Sequence, residues 1–166
     1  MMELSATSAL WLLIAALPIS LYVAFTDMKS MKIPNVAVGA LVAGFAVLGL
    51  IAFPFAQYLW QWVHLVVVLL IGFVLNAAGV FGAGDAKFAA AAAPYVMLGD
   101  LQVLAWIFVA STIAGFIVHR IAKYSPLRKL VPTWDSWNAG KRFPMGLPLG
   151  MTLVGYLVVA AMQTSI

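Results

Sequence analysis

The sequence predicts an all-α, polytopic membrane protein of six transmembrane helices with the N- and C-termini outside. Three observations carry that expectation: the share of apolar residues, their grouping into spans, and the placing of the positive charges. Of 166 residues, 65% are hydrophobic and only 8% charged, and the mean hydropathy is +1.07. A soluble domain of this size needs far more charged surface, whereas a helix crossing a bilayer needs roughly 20 mostly apolar residues. There is room for about six such spans and little else. One membrane domain over residues 1–166 is therefore expected, with no soluble module beside it.

The first apolar segment, Leu10–Thr26, follows Met1 to Ala9, which carry Glu3 but no Lys or Arg. Without a basic region ahead of it, it reads as a retained helix rather than a cleaved signal. The second segment is Val36–Phe53. The third, Leu59–Phe81, opens on Trp60 and Trp62, whose rings favour the headgroup level. From Ala86 to Val118 the chain is apolar throughout, but Pro94 and the Gly99-Asp100 pair punctuate it. The break gives a short fourth segment, Ala86–Leu98, packed inside the bundle, and a fifth, Leu101–Val118. Its alanines, Ala89 to Ala93, allow neighbouring helices to come close. The sixth segment is Met145–Met162.

Charge decides between five spans and six. Lys29 and Lys32 follow the first segment, Lys87 follows the third, and six basic residues lie from Arg120 to Arg142, which accounts for all nine. The opposite loops, Pro54–Tyr58 and Gly99-Asp100, have none. Cytoplasmic loops are enriched in Lys and Arg, so the three basic loops belong inside. Lys87 and Arg120 share a side only if the chain crosses twice between them, which requires the break at Gly99-Asp100. The net charge of +4 is thus an orientation signal, and the long basic loop, with Trp134 and Trp137 as anchors, lies near anionic lipid. Nucleic acid is not an expected partner, since no basic face stands on a folded soluble domain.

The absence of cysteine excludes disulfides, thiol chemistry and a Cys-ligated zinc. His64 and His119 form no ligand-spacing motif, so no metal or cofactor is expected. Of the five acids, Glu3, Asp100 and Asp135 read as solvated surface carboxylates. Asp27 and Asp85 differ: each stands where an apolar segment meets a cytoplasmic loop. A carboxylate close to hydrocarbon is costly and generally faces a partner or a water-filled cavity, although each could simply end a helix beside Lys29 or Lys87. Two carboxylates brought close share one proton. The ionised one can take a proton from water while the protonated one hydrogen-bonds a scissile carbonyl, with neither assigned as the base.

The flanks of these aspartates are distinctive. Asp27 begins Asp27-Met-Lys-Ser-Met-Lys-Ile33-Pro34-Asn35, and Asp85 stands in Gly82-Ala-Gly84-Asp85-Ala-Lys87, a GxGDxK motif at the end of the third segment. Phe143-Pro144-Met145-Gly146 enters the last segment. Together they resemble the type IV prepilin peptidase family, the bacterial branch of the GxGD membrane aspartic proteases, from Leu10 to Met162. The resemblance implies that Asp27 and Asp85 are the catalytic acids, that the active site is at the cytoplasmic face of a bacterial inner membrane, and that the substrate is a prepilin or pseudopilin with a short basic leader. Phe143 to Gly146 is similar to the family's Pro-Phe-Gly or Pro-Tyr-Gly element, with Met145 where an aromatic is common.

The neighbours have open readings. Gly82 and Gly84 allow a tight turn and close approach of substrate. Lys87 is either an electrostatic neighbour of the pair or a positive-inside anchor. Ile33 and Pro34 lead into the second helix, whose first turn suits proline. Asn35 either bonds the Asp27 loop or caps that helix. Larger family members carry an insertion with paired CxxC motifs and a methyltransferase activity. Here the chain passes almost directly from first to second helix, so the resemblance is to short, peptidase-only members of the Flp (tight-adherence) type. Two rival readings stand beside it. A small transporter or proton relay would place acids near the bilayer midplane and show internal repeats. An inactive assembly scaffold would not need both aspartates and the motif glycines.

Overall fold

The computed structural model describes residues 2–140 and 142–163. It contains six α-helices: α1 (Ala6–Ser30), α2 (Asn35–Ala52), α3 (Phe55–Ala77), α4 (Ala83–Ala92), α5 (Leu101–Tyr124) and α6 (Gly146–Ala161). No strand occurs among the described residues. Four helical stretches are long and apolar enough to cross a membrane: α1, α2, α3 and Leu98–Tyr124. α6 is apolar but shorter.

The boundaries differ from the hydropathy reading for identifiable reasons. α1 starts at Ala6 because the Ser5 hydroxyl caps it, accepting a hydrogen bond from the Ser8 N–H at 3.1 Å. It continues to Ser30, and Met31 closes it in the left-handed region at φ 53°. Asp27 therefore lies inside the last turn of α1, not after the helix. α3 stops at Ala77, short of Phe81. Gly79, at φ +72°, supplies the left-handed residue that ends it, and the Val80 N–H reaches back to the Leu75 carbonyl at 3.0 Å. In consequence the GxGD motif does not close the third helix; it opens the fourth.

The expected fourth segment, Ala86–Leu98, is only partly α-helical. α4 has ten residues and gives way to single 3₁₀ turns at Ala93–Tyr95 and Leu98–Asp100. Pro94 lacks the N–H that an α-helix would use there and forces the change. Val96 and Met97 are extended, yet the stretch is largely buried, and such backbone is tolerated at membrane depth only when covered by protein.

α1 is the central helix, packed on α2 and α6, while α3 packs on α4 and α5 on α6. The core gathers Leu12, Val23, Leu41, Phe45, Phe88, Tyr95, Tyr156 and Leu157. Helices approach closely at small residues: a Cβ on Gly44 would stand 2.6 Å from that of Ala15, and one on Gly72 2.9 Å from that of Ala86. The outward faces of α3 and α5, with Leu70, Phe73, Trp106 and Ile113 exposed, are apolar, as lipid contact requires.

At one end of the bundle the segments near the two ends of the chain meet. The Met2 N–H donates to Gln163 Oε1 at 2.8 Å, and Gln163 Nε2 donates to the Leu4 carbonyl at 3.1 Å. Asp100, expected to be a solvated carboxylate, is instead buried there. It accepts from the Glu3 and Leu4 N–H groups at 2.6 and 3.1 Å and from the Tyr156 hydroxyl at 2.7 Å. These partners are remote in sequence, so hydropathy gave no sign of them. Asp100→Ala leaves those donors buried and unpaired, and is expected to cost about 3 kcal/mol. The check is the thermal unfolding midpoint in detergent; an unchanged midpoint would mean the cluster contributes no stability.

Candidate active site

At the opposite end, α1, α4 and α6 converge on a groove of about 890 Å³. Asp27 and Asp85 both line it, together with Ile33, Asn35, Gly82, Gly84, Lys87 and Met145. Asp27 reaches it from the last turn of α1, where it is 5% exposed. Its Oδ2 accepts a 2.6 Å hydrogen bond from the N–H of Gly146, the first residue of α6. That N–H has no acceptor within its own helix, and the helix N-terminus carries partial positive charge. α6 thus begins on a carboxylate.

Asp85 sits in the first turn of α4, the helix too short to be among the four membrane-capable stretches. It faces the same groove as Asp27, so the two carboxylates share one cleft. Its Oδ2 turns back over the helix start, where a Cβ on Gly82 would come within 2.5 Å of it. Gly82 is the N-cap of α4 in extended conformation, so its role is close approach rather than a left-handed turn. Gly84 packs on Ile33, whose Cβ would be 3.4 Å from an added Cβ. That contact ties the loop after α1 to the start of α4.

The remaining sequence candidates lie in or beside the lining of the groove. Pro34 is the N-cap of α2 rather than a first-turn residue, and Asn35 begins the helix without capping it. The Asn35 side chain instead accepts from Lys87 Nζ at 3.3 Å. Lys87 is exposed, and among the described residues it makes no ion pair within 4 Å. Pro144 is buried beside Gly146. Among the described residues no three His, Asp or Glu side chains come together, and the acids lining the groove are Asp27 and Asp85.

Sequence reasoning missed the cap over this end. The loop after α5 forms 3₁₀ turns at Pro126–Leu130 and Asp135–Trp137. Trp137, expected as a membrane anchor, is 3% exposed and donates from Nε1 to the Val131 carbonyl at 2.8 Å. Its ring stacks on His119, with centroids 5.3 Å apart, and on Trp134, which meets Phe25 of α1 edge-on. Phe143 packs edge-on against His119. The aromatics thus lash the loop to α1 and α5 and hand the chain, through Arg142 and Phe143 in the groove wall, to Gly146. Only the tryptophan content hinted at such packing. Of the six basic residues expected in this loop, Lys141 lies outside the described residues.

A family model described as the type IV leader peptidase family matches residues 8–119, more than half of the chain, including both aspartates. Neither the curated proteins nor the solved structures give a match.

Proposed function

The chain belongs to the type IV leader peptidase family, a family of proteases, and from that premise we propose that it is an aspartic endopeptidase whose catalytic pair is Asp27 and Asp85. The observation that carries this reading is the shared groove: two carboxylates from separate helices line one open cleft, one of them held by the N-terminus of α6. With one proton between them, the ionised carboxylate takes a proton from water as the oxygen attacks the scissile carbonyl carbon. The protonated partner gives its proton to the carbonyl oxygen. Collapse of the tetrahedral intermediate then returns a proton to the leaving nitrogen and yields a new carboxyl and a new amine. No covalent enzyme intermediate forms, and the chain's own residues need no metal or cofactor for these steps.

The substrate is a prepilin or pseudopilin of the Flp type, with an apolar helix in the bilayer and its short basic leader at the dyad. The bundle crosses a bacterial inner membrane six times, with α4 and its 3₁₀ extension as the fourth crossing. Lys29, Lys32 and Lys87 lie at the dyad end, whereas Glu3, Asp100 and Gln163 cluster at the other. The positive-inside rule then faces the dyad to the cytoplasm and the termini outward. Four residues, Met31 to Pro34, join α1 to α2, and no cysteine is present, which supports cleavage without methylation.

The test is leader removal from a Flp-type precursor by the purified protein in liposomes, followed on a gel, with ion flux measured in parallel. Flux without cleavage would replace this reading with the transporter. The pH profile adds a sign. The reactive pair works only while it holds one proton, whichever carboxyl carries it. The rate constant kcat/KM should therefore trace a bell, falling on the acid side as the pair gains a second proton and on the alkaline side as it loses the one it holds. A profile without both falls would overturn the shared-proton mechanism.

A further inference from the structure

A second cavity, of about 530 Å³, adjoins the dyad groove: Met31 and Arg142 line both. Beyond those two residues it is walled by Asp135, Asn138, Ala139 and Gly140. Asp135 opens the 3₁₀ turn locked in place by the buried Trp137, so its position is set by the aromatic cap rather than left to a free loop. Its carboxylate is exposed and makes no ion pair within 4 Å among the described residues. Glu3 and Asp100 belong to the opposite end, and Asp27 and Asp85 are the dyad. Of the chain's five acids, Asp135 alone remains on this face. Among the described residues, the charged side chains lining the two cavities besides the dyad and Asp135 are Lys32, Lys87 and Arg142, all positive.

A membrane substrate cut on the cytoplasmic side presents a flank rich in Lys and Arg there, for the same reason that this chain's own inner loops are basic. Such a flank meets the cations Lys32, Lys87 and Arg142 around the groove and, beyond the dyad, one further acid, Asp135. We propose that the Asp135 cavity is a specificity subsite that binds a lysine or arginine side chain of the substrate's cytoplasmic flank, beyond the dyad on the side of Met31 and Arg142. This rests on the peptidase reading for its substrate but not for its charge preference. The Asp135 carboxylate orders the flank and draws the chain across Asp27 and Asp85. The same charge pattern disfavours substrates with acidic flanks.

Two measurements separate the subsite from the reaction. For cleavage, single-span peptides differing only in the flank, Lys-Lys or Gln-Gln, are compared on the protein with and without Asp135→Asn. The wild-type preference for the lysine flank, in kcat/KM, is expected to shrink about tenfold, through KM rather than kcat. An Asp135→Lys protein is expected to prefer a Glu-Glu flank. For binding, the same labelled peptides are titrated onto catalytically silent Asp85→Asn protein in nanodiscs. Asp135→Asn is expected to weaken the lysine peptide about tenfold and the glutamine peptide little. Equal affinities for both flanks, or equal losses on both peptides, would overturn the subsite. Charge-selective binding in a protein that cleaves nothing would sink the peptidase reading and leave the subsite standing.

Discussion

Asp27→Asn and Asp85→Asn are each expected to reduce leader cleavage by about 10³-fold or more, within the range that positioned acid–base groups supply. Asparagine keeps the shape of aspartate, and at position 27 its carbonyl oxygen can still accept the Gly146 N–H that now bonds Oδ2 at 2.6 Å. The variants should therefore fold, with unfolding midpoints close to that of the parent. What each loses is a charge or an exchangeable proton that the other carboxylate cannot replace. Because the pair acts as a unit, the double variant should be little worse than either single one. Independent roles would instead multiply the two losses. Cleavage surviving in either single variant would remove the dyad altogether.

The aspartates were legible in the sequence because a carboxylate at the end of an apolar run is conspicuous, and because Ile33-Pro34-Asn35 and Gly82 to Lys87 flank them in a particular order. Hydropathy was likewise enough to reveal an all-helical chain with several membrane-capable stretches. It could not see how α4 begins. The Gly79 turn that ends α3 is a matter of one backbone dihedral inside a continuous apolar stretch, so the pattern does not show that the GxGD motif opens the fourth helix rather than ending the third. Nor could it tell a buried carboxylate from a solvated one in the same kind of turn. Asp100 and Asp135 look alike in sequence, but Tyr156 and the Glu3 and Leu4 amides surround the first, while the second faces a cavity. Those differences are made by contacts across the fold, to which a local pattern is blind. The same holds for the lashing of Trp137 to His119 and for the pairing of Asn35 with Lys87.

Gly146→Ala is expected to lower kcat by about 10²-fold through geometry alone, with both carboxyl groups chemically intact. A methyl there would stand 2.8 Å from Asp27 Cβ, 3.0 Å from its Oδ2 and 3.1 Å from Val23 Cγ1. None of these can swing away cheaply: Asp27 and Val23 are both buried in α1, and α1 packs along α6. Either the start of α6 lifts from α1 or the Asp27 side chain rotates off the Gly146 N–H. Displacing a reacting group by about 1 Å can itself cost about 10²-fold, and overpacking adds a stability loss of about 1–3 kcal/mol. Gly39→Ala is the matched control, since it lies within α2 with nothing within 4 Å of its added Cβ. There alanine should raise stability by up to about 1 kcal/mol and leave cleavage intact. Unfolding midpoints report the stability cost, and saturating-substrate rates on the folded fraction isolate the positional one. A Gly146→Ala protein that is destabilised but cleaves at full kcat would show that Asp27 keeps its place without α6. The last helix would then be packing for the site rather than part of it.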